Sequence, residues 1–303
     1  MWVDQSFNLC DACIGLRPLT KNEKILALPI REIFPGSTCC KFEKNSFDID
    51  HFDIVQGTLG DCWLLSAFSA IAYSTQLIQN LIVHNDDFHG VTIFKLMGRY
   101  ICVDHFIPVV FSNGFVSEII GPKVSQEGES WPILLEKAFV KIFADPSLCP
   151  MDIWKFNALR RMHRGILSGG CNYTDINGGF PRWAFRILLN ARIDPIKTQN
   201  VDLKTLLVCE GGEDLVACAC TCNEKNDSHH DAGFVYSHAY SVLRFDESRN
   251  LVRVRNPWGT LESTKFDDGI DDGEFWVDLE EFRYRFPILC LSKIKQTTKI
   301  MTK

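Results

Sequence analysis

Cys62 has the surroundings that a nucleophilic cysteine requires. It begins the run CWLLSAFSAIA, whose apolar and small side chains predict a closely packed, buried helix from Cys62 to Ala72. The N-terminus of a helix favours a thiolate, which is the reactive form of cysteine. The glycines at 57 and 60 precede this helix and let a substrate backbone approach closely. We therefore predict that Cys62 acts as a nucleophile.

Gln56 lies six positions before Cys62, in the loop that leads into the predicted helix. The loop can fold the side-chain amide back beside the backbone N–H of Cys62, where both groups would donate hydrogen bonds to a developing oxyanion. A loop glutamine is about as often a solvated amide, so the residue alone leaves both readings open.

His238 is the best placed of the eight histidines to act as general base for such a thiol. It lies in an apolar pattern from Phe234 to Leu243 that predicts a strand, and burial there would fix its ring. A lone histidine on an apolar strand is more often a core residue. Asn256 follows the next strand pattern, Leu251 to Arg255, where its side chain can accept the second imidazole N–H.

Trp258 follows Asn256 and Pro257, and its ring is placed to shield a hydrogen bond between the imidazole and the amide. An isolated Asn-Pro pair usually marks a simple turn. The order cysteine, histidine, asparagine, with the last two on neighbouring predicted strands, makes three separate coincidences improbable. The residues together predict acyl chemistry through a thiol.

The composition is that of a globular protein with a substantial core. The chain has 303 residues, of which 46% are hydrophobic and 23% charged, enough for one large domain or two lobes. A net charge of -6 argues against nucleic acid as a partner. No run reaches the roughly 20 apolar residues that span a bilayer.

The cysteine content and the first residues bear on the compartment. Thirteen cysteines form an odd set in a long chain whose start lacks the basic and apolar regions of a signal peptide. We expect free thiols in a reducing environment and a cytoplasmic protein. Cys218, Cys220 and Cys222, followed by His229 and His230, also raise the alternative of a zinc site, but their alternation favours ordinary packing on a strand.

The order of elements predicts an α+β fold. Strand patterns at 91–96 and 100–104 and a helix over 131–143 follow Cys62, and strands prevail later, at 234–243, 251–255, 273–278 and 288–291. Glycine pairs at 169–170 and 178–179 mark the passage between lobes. We predict an irregular N-terminal arm over residues 1–50, a first, helical lobe over 51–179 and a second, β-rich lobe over 180–303, with the active site between them.

These motifs resemble the protease core of the calpain family. The segment from Gln56 to Ala67, QGTLGDCWLLSA, is similar to the family's nucleophile block. The segments His238 to Val242 and Arg255 to Gly259 are similar to its histidine and asparagine blocks. The resemblance extends from about Asp53 into the C-terminal region, through similar segments at 131–143, 167–170 and 273–276.

The resemblance implies a papain-like, two-lobed, intracellular and calcium-dependent cysteine endopeptidase that acts on protein substrates. In that reading Cys62 attacks, His238 transfers the proton, Asn256 orients His238, and Gln56 stabilises the oxyanion with the Cys62 N–H. Asp53 and Glu129 match carboxylate ligands for Ca²⁺ in the first lobe. Matches in the second lobe are Glu262, Asp268, Asp272 and Glu274. Composition alone would make this acidic run a solvated loop, and it lacks EF-hand spacing.

The sequence departs from the family pattern at two places. Ser237 stands before the histidine where the family usually has glycine, and the loop between Asp268 and Asp271 is shorter than in typical calpains. The resemblance to the protease core extends close to the last residue of the sequence. We therefore expect regulation by C-terminal β-sandwich or EF-hand domains to be absent or supplied by a partner chain.

Two other functions remain as alternatives. A catalytically silent calpain-like binding module is disfavoured because Cys62, His238 and Asn256 are all present. A papain-fold acyltransferase such as a transglutaminase uses the same thiol chemistry but usually has aspartate as the third member, and Asn256 argues against it.

Overall fold

The computed structural model describes residues 1–7, 19–43, 46–125, 128–163, 171–209, 213–222, 230–231, 233–263, 265 and 269–295. The helices are α1 Ile30–Ile33, α2 Cys62–Ala72, α3 Thr75–Gln79, α4 Trp131–Ala144, α5 Met151–His163, α6 Pro181–Leu188, α7 Leu203–Leu207 and α8 Leu279–Arg285. Short 3-10 turns lie at His51–Asp53, Tyr173–Asp175 and Thr198–Asn200.

The first strands are β1 Glu23–Pro29, β2 Lys41–Glu43, β3 Ser46–Asp48, β4 Ile82–Asp86, β5 Val91–Leu96, β6 Arg99–Asp104, β7 Phe106–Ser112 and β8 Phe115–Ile119. The later strands are β9 Ile196–Lys197, β10 Glu213–Cys220, β11 His230–Asp231, β12 Phe234–Val235, β13 Ala239–Asp246, β14 Leu251–Arg255, β15 Glu274–Asp278 and β16 Ile288–Lys295. The mixture of helices and sheets confirms the predicted α+β class.

The largest sheet lies in the second half of the chain and has the strand order β15-β14-β13-β10-β16-β9. Two three-stranded sheets, β1-β7-β8 and β4-β5-β6, accompany the helices of the first half. One hydrophobic core surrounds α2 and α4, and a second lies between the large sheet and α8. The lobe boundaries near residues 50 and 179 remain predictions.

Helix α2 packs directly on the large sheet, against β10 and β13. All its residues after Cys62 are buried, as its apolar and small side chains predict. The Ser66 carbonyl accepts a hydrogen bond of 2.9 Å from the Ser241 hydroxyl on β13. The small side chains therefore bring the helix that carries Cys62 against the strand that follows His238.

The register of the large sheet brings His238 and Asn256 to one edge. Strands β13 and β14 are antiparallel, with Ser241 opposite Arg255 and an irregularity after Val242. His238 precedes β13 and Asn256 follows β14, so both side chains lie at the same end of neighbouring strands. The pairing of β13 with β14 thus brings the two sequence motifs that contain His238 and Asn256 into one site.

Two predicted elements differ from the structure. The single strand expected over 234–243 is divided into β12 and β13, because Ser237 between them has a φ of 51° that a strand cannot accommodate. The N-terminal arm is not wholly irregular, since β1 pairs antiparallel with β7 along its full length. Its alternating apolar residues supply one edge of a sheet.

None of the helices in the described ranges combines the length and the apolar character needed to cross a bilayer. The predicted helix over 131–143 is present as α4, with Pro132 in its first turn and a largely buried surface.

We predict that Ser66→Leu lowers the free energy of unfolding by about 1–3 kcal/mol, because added methylene groups would separate α2 from β10 and β13. Ser66→Ala is the matched control and should cost less than about 1 kcal/mol, since the Ser66 hydroxyl makes a long 3.4 Å bond to the Trp63 carbonyl and a weak contact with the Cys218 thiol. Urea unfolding of both variants measures the difference. Equal stability would show that the helix does not approach the sheet this closely.

Candidate active site

Cys62 is the first residue of α2 and is half-buried. The N-terminus of the helix is anchored nearby, because the Trp63 indole N–H donates to the Ile176 carbonyl at 2.9 Å. The Trp63 ring also lies against Gly179, where a Cβ would come within 2.5 Å of it. This packing fixes the residue that follows the thiol.

Burial controls the protonation of the thiol. The pKa of Cys62 is raised to about 11, chiefly by burial and also by the neighbouring Asp61 carboxyl. The backbone N–H of Ala239 points at the sulfur and lowers the pKa, as do the N–H groups at the start of the helix. The desolvation exceeds these favourable dipoles, so Cys62 is a neutral thiol at pH 7 in this arrangement.

His238 and Asn256 are joined by a hydrogen bond of 2.9 Å between Nε2 and Oδ1. His238 is held on its backbone by Thr221, whose N–H donates to the His238 carbonyl at 2.9 Å and whose hydroxyl accepts the His238 N–H at 3.0 Å. Both side chains are buried. The structure therefore brings these two predicted site residues together.

The hydrogen bonds of Asn256 define the tautomer of His238. The Asn256 Nδ2 group donates to the Thr260 carbonyl at 2.9 Å, and Oδ1 accepts the Trp258 N–H at 3.1 Å. A carbonyl can only accept and a backbone N–H can only donate, so the amide orientation is fixed. Oδ1 must then accept from His238, which places the imidazole proton on Nε2 and leaves the lone pair on Nδ1.

Trp258 packs beside this hydrogen bond. Its ring centroid lies 5.1 Å from that of His238 with an interplanar angle of 61°, and 38% of the residue is exposed. Tyr240 contacts the imidazole edge-on at 5.1 Å. Burial lowers the pKa of His238 to about 4, although the bond to Asn256 acts in the opposite direction. The imidazole is therefore neutral at pH 7.

Cys62 and His238 line the same cavity of about 400 Å³. Its walls also include Thr221 and Phe180, and Cys220 and Cys290 contribute two further thiols. Among the hydrogen bonds of the described residues, none joins the Cys62 sulfur to the His238 ring. The two groups face one space as neutral partners, which is the arrangement from which proton transfer can create a thiolate.

Gln56 lies in the loop before Cys62 and is largely buried. Its backbone N–H donates to the Pro257 carbonyl at 2.8 Å, which ties the loop to the Asn256 turn. The side-chain Nε2 donates to the Leu59 carbonyl at 2.7 Å. One amide hydrogen is thus used within the loop, and the predicted oxyanion role depends on the other.

Ser237 lines the cavity next to His238 and is exposed. Its φ of 51° is in the left-handed region, which glycine adopts without strain and other residues adopt at a cost of about 1 kcal/mol or more. The Ser237 N–H donates to the Cys222 carbonyl at 2.9 Å, which holds this conformation. The chain therefore carries a hydroxymethyl group at a glycine-like position of the cavity wall.

The candidate ligands of the first lobe are buried. The Asp53 carboxylate accepts the Trp131 indole N–H at 2.7 Å and the Asp50 N–H at 3.1 Å. Glu129 is also buried, and its N–H donates to the Ser125 hydroxyl at 3.2 Å. Asp53 is thus engaged by protein donors.

The candidate ligands of the second lobe are similarly engaged. Glu262 accepts the N–H groups of Asp272 and Gly273 at 2.7 and 2.6 Å, and Asp272 accepts the Glu274 N–H at 2.9 Å. The buried Glu274 carboxylate binds His51 and Arg253. Asp268 lies outside the described residues.

A second cavity, of about 330 Å³, brings carboxylates of both halves near one cation. Asp53 and Asp272 line it together with Arg255. The Arg255 side chain is buried and donates to the Ile54 carbonyl at 3.0 Å. Burial lowers the pKa of this guanidinium to about 10, while surrounding carboxylates, Glu274 foremost, raise it.

The oxygen atoms of these carboxylates are suitable ligands for a metal ion, but in the described part of the chain their present arrangement does not form a metal site. Carboxylate oxygens are the ligands that Ca²⁺ prefers. Within the described residues, however, no group of three or more histidine, cysteine or acidic side chains is arranged to hold a metal ion. A metal would bind only if the protein donors on these carboxylates were released.

The alternative cysteine motif lies partly on β10, which contains Cys218 and Cys220. Cys218 is buried in the first hydrophobic core, as packing on a strand requires. Cys222 follows the strand, and His229 lies outside the described residues. The structure therefore uses at least part of this motif for packing.

Several contacts at the site escaped the sequence patterns. Thr221, the Ala239 N–H and the His51–Glu274 pair come together only through strand and helix packing. Asp61 could have been singled out from the sequence, because it immediately precedes the predicted nucleophile. An aspartate at that position, however, does not by itself indicate a function.

Comparison with known proteins gives a consistent result. The family model described as calpain family cysteine protease matches residues 2–269. The calpain-1 catalytic subunit of Bos taurus is 28% identical over 283 residues, covering 81% of this chain and 36% of that protein. Calpain-12 of Homo sapiens is 24% identical, covering 83% and 36%, and the calpain-2 catalytic subunit of Gallus gallus is 27% identical, covering 76% and 34%.

The chain spans about a third of the length of the curated relatives it matches. The matched region includes the cysteine, histidine and asparagine motifs and most of both hydrophobic cores. The predicted resemblance is thereby confirmed, and the chain belongs to the calpain family of cysteine proteases.

Proposed function

We propose that this chain is a cysteine endopeptidase with Cys62 as nucleophile, His238 as general base and acid, and Asn256 as the group that orients His238. The observation that carries this proposal is the shared cavity. Cys62 lines it at the start of α2, and His238 lines it with Nε2 bound to Asn256. A thiol, a lone pair and an orienting amide are the three parts that thiol-dependent acyl transfer needs.

The tautomer of His238 supports proton transfer from the Cys62 thiol to Nδ1 of the imidazole. With the proton on Nε2, the Nδ1 lone pair accepts the Cys62 proton while Asn256 keeps the ring aligned. The thiolate then attacks the peptide carbonyl, and the imidazolium returns the proton to the leaving amine. Gln56 and the Cys62 N–H would stabilise the oxyanion, and water would hydrolyse the thioester with His238 again as base.

Because the Cys62 thiol and the His238 imidazole are both neutral, we infer that the two lobes must move closer together before catalysis. Each charged form is disfavoured by burial, but each would stabilise the other at short range. Bringing the lobes together would therefore create a thiolate–imidazolium pair that neither group forms alone. A mispositioning of about 1 Å can cost on the order of a hundredfold in rate.

Calcium dependence is proposed as the source of this alignment. Asp53 and Glu129 would hold Ca²⁺ in the first lobe, and Glu262, Asp268, Asp272 and Glu274 would hold it in the second. Calcium would supply positive charge that replaces the present protein donors of these carboxylates. Support comes from the burial of Asp53, Glu129 and Glu274 and from the position of Asp53 and Asp272 on one cavity wall. A cytoplasmic location and a regulatory partner chain belong to the same proposal.

The proposed activity differs from its alternatives in its products. An endopeptidase cleaves casein into peptides, a papain-fold acyltransferase joins an acyl group to an added amine, and a binding module does neither. Mass spectrometry of casein incubated with the protein, millimolar calcium and an added primary amine separates the three outcomes. Amine-linked products in excess of cleavage would favour the acyltransferase.

We predict that Cys62→Ala and Cys62→Ser abolish casein cleavage, because each removes the nucleophile and changes little volume. His238→Ala should be nearly as severe, whereas Asn256→Ala should retain measurable activity, since orienting a base is less indispensable than being one. Initial rates with a fluorogenic peptide provide the measurement. Near-normal turnover in either Cys62 variant would reject this thiol as the nucleophile.

We predict that iodoacetamide modifies Cys62 slowly at pH 7 without calcium and faster as the pH approaches the thiol pKa of about 11. With calcium, pairing with His238 should make the rate at pH 7 higher and less dependent on pH. Peptide mass spectrometry measures the rate at Cys62, and the exposed Cys209 serves as an internal control. A rate at Cys62 that already matches Cys209 at pH 7 without calcium would contradict a buried neutral thiol.

We predict that Asp53→Ala and Glu274→Ala raise the calcium concentration for half-maximal activity more than they reduce activity at saturation, because each removes a ligand of one proposed site. Titration calorimetry should show weaker calcium binding in both variants. Glu247→Ala, at an exposed position, is the control. Full proteolysis in excess EGTA, or unchanged binding in both variants, would refute calcium dependence and leave the protease proposal standing.

A further inference from the structure

Asp61 and Glu136 are buried carboxyl groups that the proposed mechanism does not use. Their exposed fractions are 0% and 1%. All four carboxyl oxygens lack a hydrogen-bond partner among the described residues. Asp61 even occupies the N-cap position of α2 without making the usual side-chain cap bond. A buried ionised carboxylate without donors is strongly unfavourable, so at least one of these groups must hold a proton.

The two carboxyls interact with each other rather than with a cation. The charge of Asp61 adds to burial in raising the pKa of Glu136 well above its usual range, and burial raises the pKa of Asp61 to about 8. The Gln56 side chain lies beside Asp61 and lowers its pKa. No described lysine or arginine stabilises either carboxylate.

The other titratable groups around the pair do not change this balance. Burial raises the pKa of Tyr173 and of Cys62. The negative charges of Glu136 and Asp61 add to this effect at Tyr173, and that of Asp61 adds to it at Cys62. The nearby cations are bound to other carboxylates, in the pairs Lys137–Asp104 and Arg161–Asp175.

Glu136 also supports the other end of the nucleophile loop. Its carboxyl oxygens lie 2.7 and 2.9 Å from the point where a Cβ on Gly121 would stand. The Gly121 carbonyl in turn occupies the space that a Cβ on Gly57 would need. Gly57 follows Gln56, so the backbone of the proposed oxyanion loop rests on Gly121, and Gly121 rests on Glu136.

We propose that Asp61 and Glu136 hold one proton between them and act as positioning residues for the loop from Gln56 to Cys62. The inference rests on the proposed function, because this loop carries the proposed oxyanion donors. Asp61 holds the loop where α2 begins, and Glu136 holds it through Gly121 and Gly57. Two carboxylates in a low-dielectric site without a cation would repel each other, whereas one retained proton lets both side chains stay in place beside the loop.

The shared proton can be tested without any activity measurement. Infrared spectra of the wild type at pH 7 should contain the carbonyl stretch of a neutral, buried carboxylic acid. That band should be missing from the double variant D61N/E136Q, which keeps the shapes of both side chains. A wild-type spectrum without the band, or an identical band in the double variant, would overturn the shared proton and would say nothing against the protease assignment.

The positioning role can be tested by pairs of variants. D61A and E136A should lower kcat about tenfold or more with little change in KM, because the loop loses its support while substrate binding elsewhere persists. D61N and E136Q should recover most of this loss, since an amide keeps the shape of a neutral acid and carries no charge. Iodoacetamide modification of Cys62 should be no slower than in the wild type in D61A and D61N, because alkylation needs no oxyanion donor and removal of the Asp61 charge lowers the pKa of the thiol.

A double-mutant cycle with Gln56→Ala locates the effect. D61A should cost much less in the Gln56→Ala background than in the wild type, because the donor that Asp61 positions is already absent. Equal costs in both backgrounds, or D61A activity equal to that of the wild type, would overturn the positioning role. If the alanine variants fail to fold, D61N can be measured instead, with Gln56 present and with Gln56→Ala. A loss of kcat in D61N as large as that in Gln56→Ala would show that the amide does not replace the acid, and it would overturn the positioning role.

Discussion

The close packing of α2 on strands β10 and β13 is the contact on which the rest of the site depends. It brings the Cys62 sulfur to the backbone N–H of Ala239, one residue after His238. Small side chains make this approach possible, because a larger group at Ser66 would separate helix and sheet. The nucleophile and the base come from distant parts of the chain, so their relative position has no other local determinant.

The burial that orders the site also suppresses its charges. It keeps the Cys62 thiol and the His238 imidazole neutral, and it requires at least one proton on the Asp61 and Glu136 pair. In water these groups would ionise with little cost. Inside the protein each charge needs a nearby partner, so the protonation state of the site reports how closely its two halves approach one another.

The local parts of the site were predictable from sequence, whereas the contacts between them were not. The start of α2 at Cys62 and the helix α4 follow from apolar runs and small residues, and the approach of His238 to Asn256 follows from two strand patterns in succession. The break before β13 was missed because an apolar run hides the left-handed conformation of Ser237. The pairing of Asp61 with Glu136 depends on helix packing across about 75 positions, and no periodicity within either segment encodes it.

The carboxylates between the two halves of the chain must satisfy two demands that compete. Glu274 is bound to His51 and Arg253, and Asp53 to the Trp131 indole, so these side chains already contribute to the fold. A ligand that uses the same oxygens has to replace those bonds, and it shifts the structure only by the difference between what it gains and what it displaces. Such protein donors weaken the binding of a ligand to these carboxylates. At Glu274 they also couple binding to movement, because the bond between His51 and Glu274 links the two halves.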